Sequence, residues 1–305
     1  MEAAEKHFSK TKKKYLSFLK KQEVLGEPFY NKIDQLKNFY VPISDFIYKT
    51  YMSKNSTVIV GLAGGQGSGK TTITQIIKLI LKDKFNLNVI SVSIDDYYKT
   101  LSERKKMSKN IHKLFLTRGV PGTHDVNLLN KTFISVLRKK FKPFSIPKFD
   151  KSLDDRCKKS KWGKILKKPD IVIFEGWCVG AKHQDEKDLI KPCNILEKDY
   201  DKKLVWRKKV NNDLKNKYNK IFKLINKLIF LEVPSFNYIF KWRLLQEKKL
   251  KKTSKGKKTM NEKQVKKFIM FYERISKHML KELKKIAQIV VQIDKKHRLN
   301  NIKFK

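Results

Sequence analysis

The stretch Gly64-Gly65-Gln66-Gly67-Ser68-Gly69-Lys70-Thr71 decides how this 305-residue chain folds. It places a glycine, four spacer residues and then Gly-Lys-Thr, and each residue type answers a physical need. Glycines let the backbone wrap so that successive N–H groups point inward at phosphate oxygens. A helix that starts where the loop ends turns its positive end toward the same anion. Lys70 can reach the β- and γ-phosphates of a nucleotide, and Thr71 can place its hydroxyl on Mg2+. On this reading the residues from Gly64 to Thr71, with Thr72 beside them, cradle ATP. The context agrees: Thr57-Val58-Ile59-Val60-Gly61 predicts a strand feeding the loop, and Ile73 to Leu81 a helix leaving it. Five of the twelve glycines fall between Gly61 and Gly69, so the loop departs sharply from the composition around it.

Outward from the loop, Asn88–Ile94, Asp170–Glu175, Lys227–Val233 and Ala287–Ile293 each predict a short buried strand. Helical or loop sequence separates them, including a helix over Val126–Phe141 with Asp125 as its N-cap. This alternation predicts an α/β fold, a mostly parallel sheet with helices on both faces. Residues 1–55 read as an N-terminal helical extension broken at Gly26-Glu27-Pro28, and residues 56–305 as the α/β domain.

The formal net charge of +43 invites a nucleic-acid reading, which the kind of charge weakens. Of 72 basic residues only eight are Arg, and there are 18 Asn against five Ala, the pattern of AT-rich codons. The lysines are spread along the chain, whereas dedicated binders concentrate charge and use Arg for planar contacts. No specific nucleic-acid partner is expected. No apolar run approaches the roughly 20 residues of a membrane span, so no membrane association is expected. The first residues carry acids and no apolar stretch, and Cys157, Cys178 and Cys193 are too few for a disulfide framework. A cytoplasmic protein is the expectation.

Two acids end predicted strands. Asp95, in Ser93-Ile94-Asp95-Asp96-Tyr97-Tyr98, can accept the proton of an attacking hydroxyl or hold magnesium through water. Glu175, in Ile171-Val172-Ile173-Phe174-Glu175-Gly176, is a second candidate for the metal, with Thr71. Two further segments are dense in chemistry: Arg118-Gly119-Val120-Pro121-Gly122-Thr123-His124-Asp125, and Lys148-Phe149-Asp150-Lys151-Ser152 with Asp155-Arg156 behind it. In a chain that uses lysine almost everywhere, Arg118, Arg156 and Arg243 stand out, because a guanidinium grips carboxylate or phosphate in a planar fork.

Taken in order, GLAGGQGSGKTT, SIDDYYKT, RGVPGTHD, IPKFDKSLDDR, VIFEGWCVG, WRLLQE and MNEKQVKKF resemble the D-glycerate 3-kinases, relatives of the uridine kinase, phosphoribulokinase and pantothenate kinase group, over about residues 28 to 293. The resemblance implies a P-loop kinase fold with strand order 2-3-1-4-5 and a lid at about 242–262. It implies ATP- and Mg2+-dependent phosphoryl transfer to a hydroxyl of a small anionic acceptor, D-glycerate giving 3-phosphoglycerate. Lys70, Asp95 and Arg243 take the catalytic positions, Asp95 before an aromatic at Tyr97. Arg118, His124, Asp125, Lys148, Asp150, Lys151 and Arg156 fall on the acceptor side. The chain departs from the pattern at Gly65, where relatives often have proline, at Asn261, where an acid is common, and in the lysine-rich run 248–258. Another acceptor (nucleoside, pantothenate or sugar phosphate) is the alternative within kinases; a nucleic-acid-binding P-loop ATPase is the alternative of another class.

Overall fold

Strand β1 (Val58–Gly64) is buried along its whole length, and the other elements are arranged around it. The computed structural model describes residues 2–23, 28–253 and 259–305. Four further strands lie parallel with β1: β2 (Val89–Ser93), β3 (Ile171–Gly176), β4 (Lys227–Glu232) and β5 (Ile289–Ile293). Their spatial order is 2-3-1-4-5, as the resemblance implied, with Val58 opposite Ile171 and Val60 opposite Lys227 in register. A sixth strand, β6 (Leu299–Phe304), runs antiparallel on the outer side of β5. The sequence reading stopped at Ile293 and did not foresee it. The turn that makes it possible is held by Asp294, whose carboxylate accepts from the backbone of Lys296 and Arg298 at 2.8 and 2.9 Å.

Alternation along β1 splits the core in two, since successive side chains of a strand point to opposite faces. Val58, Val60 and Leu62 face one layer, built from α1 (Glu2–Glu23), α2 (Val41–Lys54) and α3 (Lys70–Phe85). Ile59 and Ala63 face the other, which holds α4 (Leu101–Asn110), α5 (Val126–Leu137), α6 (Val205–Asp213) and much of α8 (Glu262–Ile286). Helix α7 (Phe236–Thr253) follows β4. Helix α3 shows why a helix forms after the loop: Ile73, Ile76, Ile77, Ile80 and Leu81 recur at three- and four-residue spacing and are buried on one face. It stops at Asn86, whose left-handed backbone (φ 53°) ends the last turn.

Helix α5 ends at Leu137, four residues short of the expected Phe141. Leu129, Phe133 and Val136 are its buried positions, no apolar residue follows Leu137 before Phe141, and Pro143 disfavours helix just ahead of it. Asp125 caps it as expected, accepting from Leu128 N at 3.0 Å. Asn261, the departure from the family pattern, caps α8 with a reciprocal bond from Gln264, so an amide serves there. Of the expected N-terminal break, residues 24–27 lie outside the described residues; so do residues 254–258 of the lysine-rich run and the expected lid.

The N-terminal helix joins the core. Thr11 donates to Asp83 on α3 at 2.8 Å, Lys14 pairs with the same carboxylate, and Tyr15 and Leu19 are fully buried against α2 and α3. Leu19→Ala should therefore cost about 2–5 kcal/mol in a urea melt; a change within error would show α1 to be a loose appendage.

Candidate active site

The glycine loop connects Gly64, the last residue of β1, to Lys70, the first of α3. Gly67 and Gly69 take left-handed backbone, φ 77° and 84°. A β-carbon at Gly67 would sit 2.9 Å from Trp242 Cβ, and one at Gly65 would sit 2.6 Å from Ile239 Cδ1, so α7 packs directly on the loop. That close approach leaves no room for a side chain at Gly65 unless Ile239 shifts. Both polar atoms of the Gln66 side chain and the Ser68 hydroxyl are buried with no partner among the described residues. Buried polar atoms are nearly always paired, so these mark a cradle completed by a ligand. Lys70 folds back to donate to Gly65 O at 2.9 Å. Burial lowers the pKa of its ammonium, while Glu175 and Asp95 oppose the shift.

Two acids face this lysine. Glu175 is buried on β3 and accepts from the Thr71 hydroxyl at 3.3 Å. Burial raises its pKa, Lys70 pulls it back and Asp95 raises it further. Ser93, in register beside it on β2, hydrogen-bonds to it. Asp95 sits in a single 3-10 turn, Ile94–Tyr97, that follows β2. It accepts from Lys151 Nζ at 2.7 Å and from the Tyr98 hydroxyl at 3.1 Å. Burial alone would raise its pKa; the charge and hydrogen bond of Lys151, helped by His124 and then Lys70, bring it down to about 2.

The turn also decides which tyrosine faces the site. Tyr97, the expected aromatic, points into the core with its hydroxyl 2.9 Å from Thr132 Oγ1. Tyr98 takes the site position instead, bonded to Asp95 and stacked on His124 at 4.4 Å. His124 is buried, its Nδ1 2.7 Å from the Tyr218 hydroxyl and its Nε2 without a partner among the described residues. The segment carrying it is fixed by Gly119, at φ 143°, where a β-carbon would lie 2.2 Å from the Tyr272 hydroxyl of α8. Trp177, just after β3, donates to Gly119 O at 3.0 Å.

Of the acceptor-side candidates, Lys151 and His124 converge on Asp95, directly and through Tyr98. Arg118 pairs with Asp154, lies over the Phe149 ring and acts on Lys151 through its charge. The rest look elsewhere. Arg156 donates to Tyr98 O at 2.9 Å and lies 3.3 Å from Asp125, which caps α5. Asp150 accepts from Ser152 and Leu153 of its own turn, and Lys148 is exposed. Arg243 lies along α7, paired with Glu247 and 3.1 Å from Gln246, so its guanidinium is not on the loop. Sequence reading missed Tyr98, Tyr218, Tyr272, Ser93 and Asp154. Tyr98 stood inside a quoted motif and Asp154 beside Asp155, but nothing in residue type set them apart.

Among the described residues no three His, Cys, Asp or Glu side chains come close enough to hold a metal alone. A Thr71 hydroxyl beside a Glu175 carboxylate is the sparse, all-oxygen donor set that suits Mg2+, which keeps its waters and is completed by nucleotide phosphates. No helix among the described residues is long and apolar enough to cross a membrane.

Comparison with known proteins identifies the family and the fold. Residues 59–240 match the model of the phosphoribulokinase / uridine kinase family. An uncharacterized kinase of Schizosaccharomyces pombe is 34% identical over 238 residues, 75% of this chain and 83% of the relative. The chloroplastic D-glycerate 3-kinase of Arabidopsis thaliana is 25% identical over 255 residues, 78% of this chain but only 53% of that enzyme. Among solved structures, the D-glycerate 3-kinase of Cryptococcus neoformans superposes with a TM-score of 0.73 at 22% identity, covering 87% of this chain and 99% of that one, a likeness of fold. The chain belongs to the phosphoribulokinase / uridine kinase family and has the fold of the P-loop kinases.

Burial holds His124 neutral, lowering its pKa from 6.5 to about 4, with Asp95 opposing. On acidification the unfolded chain takes the proton first. The stability contributed is complete above pH 6.5 and is lost as pH falls toward 4, on the order of 1 kcal/mol per pH unit. The stability gap between wild type and His124→Asn, from urea melts at pH 7 and pH 5, should narrow at the lower pH. An equal gap at both would show that His124 titrates alike in folded and unfolded chains.

Proposed function

We propose that this kinase transfers the γ-phosphoryl group of ATP to a hydroxyl of a small carboxylic acid, with D-glycerate, giving 3-phosphoglycerate, as the first candidate. The observation that carries the reading is Asp95. It stands at the carboxyl end of β2, opposite Lys70 and Glu175, with the cations Lys151 and Arg118 on its outer side. A family base faces the phosphate loop on one side and a place for an anion on the other. The Arabidopsis relative named a D-glycerate 3-kinase supports the acceptor, and the fold of the Cryptococcus enzyme is compatible with it.

Magnesium-bound ATP supplies the phosphoryl group and neutralises charge on the phosphates. The protein does the rest by position. The loop amides and the unpartnered Gln66 and Ser68 receive phosphate oxygens, and Lys70 exchanges Gly65 O for them. Thr71 and Glu175 would hold the cation. Asp95 accepts the proton of the acceptor hydroxyl, with Tyr98 and His124 fixing its orientation. Arg118 meets the acid group, and Lys151, Lys148 and Arg156 extend the positive field around it. Arg243 has its backbone nitrogen 3.4 Å from where a Gly67 β-carbon would sit, so a turn of its side chain toward the loop would exchange Glu247 for phosphate. Helix α1 acts in this scheme as a brace on α3.

An ATP-consumption screen over D-glycerate, L-glycerate, uridine, pantothenate and ribulose 5-phosphate, with product identification, should give 3-phosphoglycerate from D-glycerate at the highest kcat/KM. Uridine or ribulose 5-phosphate in first place would displace the acceptor, and ADP release only with nucleic acid present would displace the kinase reading. Lys70→Ala should lower turnover roughly 10²- to 10³-fold. Asp95→Asn should lower kcat by about 10²-fold or more while leaving the KM for ATP near its original value. The reverse pattern would assign Asp95 to the metal.

A further inference from the structure

A two-residue ladder, Phe149–Asp150 against Asp155–Arg156, carries a tight loop whose two ends hold the two charged groups the acceptor must use. At one end Lys151 Nζ lies 2.7 Å from Asp95 Oδ2. At the other, the Asp154 carboxylate pairs with Arg118 and lies 3.0 Å from Arg104 Nη2. Only Ser152 and Leu153 separate these ends, and both are exposed, Leu153 at 72%. The base in this structure is therefore occupied by a lysine, and the arginine best placed for an acid is occupied by an aspartate.

The two partners of Asp154 are not equivalent. Arg104 is fully buried and fixed by Leu116 O at 2.7 Å, Lys99 O at 3.3 Å and the backbone oxygen of Asp154 itself at 2.5 Å. It keeps the hairpin attached even when the carboxylate moves. The Arg118 guanidinium is partly exposed, and Asp154 is its one carboxylate partner among the described residues. A part-exposed guanidinium gives up one carboxylate for another at little net cost, because the pair formed replaces the pair lost. A neutral alcohol offers no such exchange: removing Asp154 would leave the cation without its counter-charge.

We propose that Asp154 is a built-in stand-in for the acceptor's carboxylate and that Lys151 is a latch on Asp95 released by the exchange, so that Asp154 sets the preference for acids over neutral alcohols. This rests on the proposed acidic acceptor. The incoming carboxylate takes Arg118, the loop shifts with Asp154, and Lys151, three residues away, leaves Asp95 free for the acceptor hydroxyl. Asp154 and Lys151 are thus positioning residues, acting through Arg118 and Asp95.

Asp154→Asn tests the device and suits the fold, since residue 154 has φ 55° and Asn tolerates left-handed backbone as Asp does. The first readout needs no turnover: the rate at which Lys151 is acetylated by a water-soluble reagent, followed by mass spectrometry. Asp154→Asn should raise that rate several-fold over wild type, and saturating D-glycerate should raise it in wild type while glycerol does not. The second readout is kinetic. An internal competitor lowers apparent affinity by the fraction of time it is bound, so the variant should show a KM for D-glycerate at least about threefold lower. Its turnover with glycerol should rise relative to that with D-glycerate. Unchanged labelling of Lys151 in Asp154→Asn would overturn the latch, and a raised KM for D-glycerate would overturn the stand-in. Labelling that rises in the variant while wild type ignores D-glycerate upholds the latch and makes the acceptor assignment the part that fails.

Discussion

Two ammonium groups and two carboxylates share the space where β1, β2 and β3 end, and their mutual compensation sets the resting state of the site. Lys70 and Lys151 oppose Asp95 and Glu175 through their charges. Glu175, the buried one of the four, would be costly alone, because an unpaired buried charge costs several kcal/mol. The balance explains why Lys70 rests on Gly65 O and why Asp95 is held by a lysine. A nucleotide adds negative charge and its cation adds positive charge, so every pairing in the cluster is open to exchange once they arrive.

The scaffold keeps that cluster in place with few ties. Ser93 and Glu175 are neighbours in the sheet, which fixes the distance between the two acids. Helix α8 reaches the Arg118–Asp125 segment through Tyr272 against Gly119, and Tyr272 packs edge-on to Trp177, which holds Gly119 O. One bulky contact thereby ties the end of β3, that segment and α8. Helix α7 ties the other side by packing Ile239 and Trp242 onto the glycine loop. Movements of α7 are movements of the loop.

The loop and the strands were legible because each rests on a local code: glycines where backbone must wrap, β-branched runs where both faces are buried; the strand order came only with the family resemblance. The side-chain pattern around Asp95 was less so. The resemblance named Tyr97 as the aromatic after Asp95, but the chain leaves β2 at Ser93 for a 3-10 turn of period three, which sets Tyr98 on the face of Asp95 instead. The scarcity of arginine found three conspicuous residues without telling a ligand from a structural tie: Arg156 spans Tyr98 O and Asp125, and Arg243 pairs along its own helix. Asp125 was read both as a cap and as a site residue; it caps α5 and pairs with Arg156. Strand β6 escaped because Leu299-Asn300-Asn301-Ile302-Lys303-Phe304 is half polar, as an edge strand can be.

That edge strand gives the lysine excess a physical role apart from substrate. An outermost strand offers unpaired backbone groups to any passing chain, and sheets that leave it smooth and apolar invite stacking. Here the outer strand exposes Asn300, Asn301 and Lys303 beside a single large apolar residue, Phe304, with Lys305 just beyond, its ammonium on the terminal carbonyls of α8. Two copies meeting rim to rim would press like charges together in a molecule already at +43. The surplus cations thereby favour colloidal solubility, keeping copies apart in crowded solution.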